Sequence, residues 1–318
     1  MKKFIQKIFI FFAIVTLIDI CFGYIANYLI TNSKGGVTKQ MYDLCNVDEY
    51  DIIIMGSSRA HHHYVPQIIT DSLGHRVYNA GQDGNGIILH YGVYQMIQSR
   101  YNPKVIIYDV FSPFDIHKYN EDANNTRYIQ PLKKYYAQAG IKEIIAAVNG
   151  KNDIKMLSSI YRLNGSMISI ICDYLLKRPM DKLGYAPLYG EYKGKNENIQ
   201  KEKSQLEIDS LKLSYLERLI FQTKANGTKL IFTLSPIYGY EEDSNDDTYA
   251  PLKELCIKYD VPIMDFRGVK SLINDNKMWK ESVHLNDNGA EEYTRNYFLP
   301  ELKETLKAIS KNCFAGDL

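Results

Sequence analysis

Tyr50-Asp51-Ile52-Ile53-Ile54-Met55-Gly56-Ser57-Ser58-Arg59 is the stretch on which the fold turns. Four consecutive apolar residues, three of them β-branched, stop at a Gly-Ser-Ser turn. That pattern reads as a buried strand handing its carboxyl end to a loop. Moving outward, the same grammar repeats. A helical stretch at about 60–73 leads to a short strand over 76–79, a glycine-rich turn over 80–86, a helix over about 87–101 and a third strand over 104–110. Residues 111–204 are less regular, with Tyr- and Asn-rich loops and a helix at about 153–176. Alternation then resumes with a helix at 205–226, a strand at 229–234, a helix at 249–259, a strand at 261–264 and a last helix at about 288–309. Strands alternating with helices predict an α/β fold, a three-layer, doubly wound parallel sheet, with 111–204 as a helical and loop insertion.

The other end of the chain is a different object. Between Phe4 and Ile30 only Lys7 and Asp19 are charged, and Ile8 to Ile18 is almost wholly apolar. About 20 apolar residues cross a bilayer core, so residues 1–30 are expected to be a single membrane anchor. Gly23 and Ala26 have Phe22, Tyr24 and Ile25 as neighbours, a poor small-x-small cleavage site, which argues against a removed signal peptide. Lys2, Lys3 and Lys7 are expected to hold the N-terminus in the cytoplasm and so to place the rest, periplasmic or extracellular, across the cytoplasmic membrane. Asp19 is the costly residue, and a partner helix is one way to satisfy it. Residues 31–49, polar and irregular, read as a stalk, and 50–318 as the α/β domain.

Composition narrows the function classes. The 318 residues hold 38 Lys+Arg against 37 Asp+Glu. Setting aside Lys2, Lys3, Lys7 and Asp19 leaves 35 basic and 36 acidic residues beyond residue 30, too balanced for a nucleic-acid binder. The five cysteines are scattered without a C-x-x-C, so no metal or redox cysteine site is expected, and no disulfide pairing can be read.

In an open parallel sheet, sites form beyond the carboxyl ends of strands. Three candidates lie there. Ser58 follows the first strand on a strand-to-helix turn, where first-turn amides can hold an oxyanion; helix capping is the competing role. Asn79-Ala80-Gly81-Gln82-Asp83-Gly84-Asn85-Gly86 follows the second strand, and its glycines allow a backbone to approach a ligand closely. It is not G-x-G-x-x-G, which argues against a dinucleotide. Glu281-Ser282-Val283-His284 precedes the last helix, and a carboxylate three residues before a histidine can orient it as a base. His61-His62-His63 tempts a metal reading, but consecutive helical residues point about 100° apart and cannot all converge on one ion. One of the three is expected beside Ser58. Arg59 is expected to pair with an acid at the surface, and Asp109 and Asp115 to cap loops.

Taken together, these three elements resemble the SGNH, or GDSL-type, esterase superfamily, over about residues 50–300. Gly56-Ser57-Ser58 stands where that family has Gly-Asp-Ser, Asn79 to Gly84 is similar to its second block, and Glu281 to His284 to its Asp-x-x-His. The resemblance implies an SGNH/flavodoxin-like fold, Ser58 as nucleophile, His284 as base and Glu281 in the place of the aspartate. It also implies backbone amides of Ser58 and Gly84 in the oxyanion hole, no metal and no cofactor. The family's third block, Gly-x-Asn-Asp, is absent, which leaves Asn85, Gln82 or Ser112 to supply its donor. A membrane-anchored subgroup, which includes D-alanyl transfer proteins of teichoic-acid modification, is similar in its anchor and Gly-Ser-Ser motif. The implied activity is an esterase on acylated carbohydrate or another small ester of the cell envelope. The alternatives are an O-acyltransferase working with a membrane-bound acyl-transfer partner, or an inactive module that binds glycan or scaffolds an assembly.

Overall fold

A computed structural model describes residues 1–119, 125–151, 153–176, 182–194, 207–240 and 248–315, with side chains up to residue 309. In chain order come α1 (Lys2–Asn32), α2 (Val37–Asn46), β1 (Ile52–Gly56), α3 (Ser58–His63), α4 (Pro66–Leu73), β2 (Val77–Asn79), α5 (Ile87–Gln98) and β3 (Val105–Asp109). Short helices α6 (Ser112–Asp115), α7 (Thr126–Ile129), α8 (Ile141–Asn149), α9 (Ser159–Leu163) and α10 (Met167–Leu176) fill the middle. The last part holds α11 (Ser210–Ala225), β4 (Lys229–Leu234), α12 (Ala250–Tyr259), β5 (Ile263–Asp265), α13 (Lys270–Ile273), β6 (Trp279–Glu281), β7 (His284–Leu285), α14 (Asp287–Tyr293) and α15 (Leu299–Ala315).

The expected α/β architecture is present. Five strands, all parallel, run in the order β2-β1-β3-β4-β5, with Ile52 to Gly56 of β1 in register with Val105 to Asp109 of β3. Every residue of β1 and β3 is buried, which explains why these strands read as continuous apolar runs rather than alternating ones. The order reverses between β1 and β3, and the carboxyl ends of those two strands flank the crevice of such a sheet.

Several boundaries differ from the sequence reading, each for a local reason. The helix expected over 60–73 is two helices, because Pro66 forces Val65 into extended backbone (φ −98°, ψ 101°). The one expected over 153–176 is a 3-10 turn (Ile154–Leu157) followed by α9 and α10, separated at Asn164-Gly165-Ser166. The last helix is α14 and α15 joined by a π-helical turn, 294–298. Residues 37–46, read as irregular stalk, are helical, because Thr38, Met41, Leu44 and Cys45 give that stretch a buried face.

The chain forms two compact units. One comprises Met1–Asp48, Gly92–Arg100 and Asn124–Met180; the other comprises Glu49–Tyr91, Tyr101–Ala123 and Asp181–Leu318. The whole sheet and all the candidate site residues belong to the second. Parts of the 111–204 insertion, and residues 205 and 206 of the expected helix, lie outside the described residues.

Candidate active site

The site is built on the end of β1. Gly56 has φ +140°, and a Cβ there would lie 2.4 Å from the backbone oxygen of Asp109 on β3. Only glycine allows the chain to turn so close to its neighbour strand. Ser57 then serves as the backbone N-cap of α3 without a capping side-chain bond, and Ser58 is the first helical residue. Its N–H, like those of any first turn, has no partner inside the helix. The N-cap is therefore Ser57, and the Ser58 hydroxyl is left for another partner.

That partner comes from the far end of the sequence. β6 and β7 form a tight antiparallel hairpin that sets Glu281 directly across from His284. His284 Nε2 lies 2.7 Å from Ser58 Oγ, and its Nδ1 hydrogen-bonds Glu281 Oε1. The serine hydroxyl can donate to Nε2 while Nδ1–H donates to the carboxylate, the tautomer a general base needs. Burial pushes the His284 pKa down and the His62 charge adds to that, against the Glu281 hydrogen bond, so the imidazole is held neutral. A neutral base over a serine hydroxyl, itself on a helix N-terminus, can carry nucleophilic acyl chemistry.

Three neighbours lock the hairpin. Trp279 is fully buried and donates from Nε1 to Leu272 O at 2.7 Å. His63, also fully buried, accepts from Leu285 N at Nε2 (3.1 Å), and its pKa is held well below the ordinary value, chiefly by burial. Asn286 caps α14 by accepting from Gly289 N at 2.9 Å, while its Nδ2 donates to Gly190 and Lys277 carbonyls. His284 is thus held between two fixed residues.

The second-strand turn packs directly on α3. Asn79 donates to the carbonyls of Ala60 (2.6 Å) and Tyr64 (3.0 Å) and accepts from Gly81 N (2.9 Å). A Cβ on Gly81 would lie 2.4 Å from His61 N. Gly84 adopts φ +66°. Asn85 donates inside the turn from its backbone N–H to Gln82 O (3.2 Å) and from Nδ2 to Asp83 O (2.9 Å), and Gln82 N donates to Gly56 O (3.0 Å). Of the residues considered for the missing donor, Ser112 lies apart: it is buried, with Oγ 2.7 Å from His117 Nδ1.

The three consecutive histidines divide. His61 Nδ1 and His62 Nε2 both face Asp83 Oδ1, at 2.8 and 3.2 Å, while His63 turns to the hairpin. His62 Nδ1 donates to Ala186 O at 2.6 Å, and its ring stands edge-on to that of His284, centroids 5.2 Å apart. His62 thus stands against His284, the residue that faces Ser58. Burial opposes its charge, but Asp83 and Ala186 raise its pKa; at Asp83 the hydrogen bonds of His61 and His62 outweigh burial and hold that carboxyl well below its usual range. His61, His62 and Asp83 offer ligand atoms within 4.8 Å of one another, the one set among the described residues that could hold a metal ion. The three histidines do not all converge on one point: His63 turns to Leu285, while Nδ1 of His61 and Nε2 of His62 reach the same Asp83 oxygen.

The remaining candidates are structural. Arg59 is buried rather than at the surface: it donates to Val110 O (2.8 Å), stacks on Phe111 (4.6 Å) and keeps Nε 4.0 Å from Asp109. Asp109 accepts from the Ser235 amide and hydroxyl, each at 3.0 Å, and burial raises its pKa against the pull of Arg59. Asp115 accepts from Ile87 N, Tyr108 Oη and Phe111 N; burial pushes its pKa up to about 7. Both aspartates cap loops, as expected. The His62–Asp83 pair and the His63 brace were not singled out in the sequence, where the three histidines carry no periodic signal.

Comparison with protein-family descriptions finds no match, and comparison with curated proteins finds none. Among solved structures the chain is similar to a Bacteroides fragilis protein assigned as an acylhydrolase, at 12% identity and TM-score 0.40, covering 85% of this chain and 97% of that one. It is similar to an acetyl xylan esterase at 11% identity and TM-score 0.39, covering 80% and 98%. A GDSL-like lipase of Bacteroides thetaiotaomicron follows at 11% identity and TM-score 0.34, covering 88% and 98%.

Proposed function

We propose that the chain is a membrane-anchored serine esterase acting outside the cytoplasm on O-acyl groups of envelope carbohydrate. The observation that carries the chemistry is the 2.7 Å contact between Ser58 Oγ and a His284 imidazole oriented by Glu281. His284 Nε2 takes the hydroxyl proton as Ser58 Oγ attacks the ester carbonyl. The Ser58 and Gly84 amides receive the developing oxyanion, and each such donor is worth about 2.7–4 kcal/mol. Nε2 then protonates the departing alcohol, leaving an acyl-serine, which water attacks with His284 again as base. No step calls on a metal, and His61, His62 and Asp83 have no part in bond making. Location is supported by the apolar α1, exposed all along Phe4 to Ile18, and substrate by the resemblance in motif order.

The test is full-length protein in detergent, treated with a fluorophosphonate probe and assayed on p-nitrophenyl acetate. Labelling and turnover are expected, and both should fall at least about a thousandfold in Ser58→Ala and His284→Ala. No labelling and no turnover in the parent chain would sink the reading. Turnover seen only when a sugar hydroxyl is supplied would make the enzyme an acyltransferase, in which the acceptor replaces water in the second half-reaction.

A further inference from the structure

The unit built from α1, α2 and residues 124–180 carries a second apolar surface. On α10, Ile168, Ile171 and Leu175 follow at i, i+3 and i+7 and form one stripe. Ile168 is 79% exposed and Leu175 66%, while Ile170 and Asp173 on the other side are buried. The preceding 3-10 turn adds Ile154 and Leu157, also bare. A soluble helix turns its apolar stripe inward and its polar face outward; here the apolar stripe faces out.

This surface is fastened to α1. Asp19, the charge inside the apolar helix, accepts from Ser158 Oγ (2.6 Å), Ser159 N (2.8 Å) and Ile160 N (2.9 Å). Ala26 and Ile30 of α1 share a core with Leu163 and Ile170. Depth then decides what covers the outer stripe. Phe4 to Ile18, the part of α1 exposed all round, is 15 residues, about 22 Å at the helical rise. A hydrocarbon core is about 30 Å thick. A bilayer holding α1 must therefore continue past Asp19, along the bare side that carries Tyr24 and Ile25. At that depth the hydrogen-bonded turn at Ser158 sits beside lipid, and so do the apolar residues joined to it.

We infer that residues 154–176 are a second membrane contact, lying in the lipid interface beside α1 with Ile168, Leu175 and Leu176 toward the acyl chains. The occupant of the stripe is lipid, because the stripe is continuous with a helix that is itself apolar on its outer side. Asp19 is satisfied within the chain and needs no partner helix. The inference rests on the reading of α1 as an anchor, not on the serine chemistry.

Full-length chain in phospholipid vesicles tests it, with Ile168→Trp and Leu175→Trp made one at a time. Both positions are bare, so the added ring displaces nothing, and the single native tryptophan, Trp279, is fully buried and supplies a constant background. The added fluorescence is expected to shift to the blue. It should lose roughly half its intensity in lipid brominated near the headgroup end of the acyl chain, as for a ring ~5–10 Å below the headgroups. Emission quenched by aqueous acrylamide and not by brominated lipid overturns the inference. So does blue-shifted emission that brominated lipid leaves intact while crosslinking traps dimers, which would assign the stripe to a second copy. Flotation after an alkaline wash separates the two readings: a chain that floats without quenching keeps its anchor and loses the second contact. A chain that does not float loses both.

Discussion

His284 is useful only while its ring is neutral, and its environment is arranged for that. Burial and the charge on His62 both push its pKa below the ordinary histidine value of about 6.5, against the Glu281 hydrogen bond. The acidic limb of kcat/KM for ester hydrolysis should therefore lie below that value. His62→Gln removes a cation and opens the site to water, and both changes raise the His284 pKa. The expected outcome is an acidic limb displaced to higher pH, read from a pH–rate profile; an unmoved limb would show that His62 does not couple to the base. His90 offers a test of stability. It is fully buried, and burial pushes its pKa down to about 4. Between pH 6.5 and about 4 the unfolded chain binds a proton that the folded chain refuses, so this residue's stabilising share is present above 6.5. It is lost as pH falls, by up to about 1.4 kcal/mol per pH unit. Thermal melts at pH 7.5 and pH 5 should show a smaller acid penalty in His90→Phe than in the parent. Ser58, His284 and Glu281 were all legible in the sequence, since each lies in a short motif after a strand or before a helix. The His62–Asp83 pair was not, because two side chains from separate turns meet only once the second-strand turn packs on α3.

Elements set the distances that these residues need. The close approach of β1 and β3 at Gly56 aims Ser58 beyond the sheet edge. Gly56→Ala would set a Cβ 2.4 Å from the Asp109 oxygen at a φ that alanine rarely adopts. Strain of about 1–3 kcal/mol is expected for the backbone alone, with more from the clash. Denaturant midpoints should fall accordingly, with turnover lost in parallel as Ser58 shifts; unchanged stability would mean that the strands can part. The hairpin of β6 and β7 is one element that the sequence does not announce. Its strands are three and two residues long, too short for an apolar period, and Ser282-Val283 is no standard turn dipeptide. What forms it is burial of Trp279 and Leu285 on either side, which no local pattern announces. Pro66 marks the break in the sequence, but the apolar pattern runs through it.

At the scale of the molecule, the first 32 residues and the 124–180 segment belong to one compact unit. Asp19 ties the two together. Asp19→Asn keeps the size but leaves one acceptor oxygen for three donors, so hydrogen exchange at Ser159 and Ile160 should quicken, by about tenfold for each 1.4 kcal/mol lost. Fluorophosphonate labelling of Ser58 should persist. Unchanged exchange would show that α9 is held by packing alone. The sequence by itself determined the class of fold, the order of the five strands of the sheet, the apolar nature of α1 and which residues to propose as serine, base and carboxylate. These are properties of period, turn chemistry and residue type along a continuous stretch of chain. Only the tertiary structure decided that His284 Nε2 stands 2.7 Å from Ser58, 226 residues away. It alone decided that His61 and His62 share Asp83, that Arg59 is buried, and that Asp19 is satisfied by residues 139 to 141 positions downstream. Such pairings depend on which surfaces are buried against each other, and burial is a property of the folded chain as a whole.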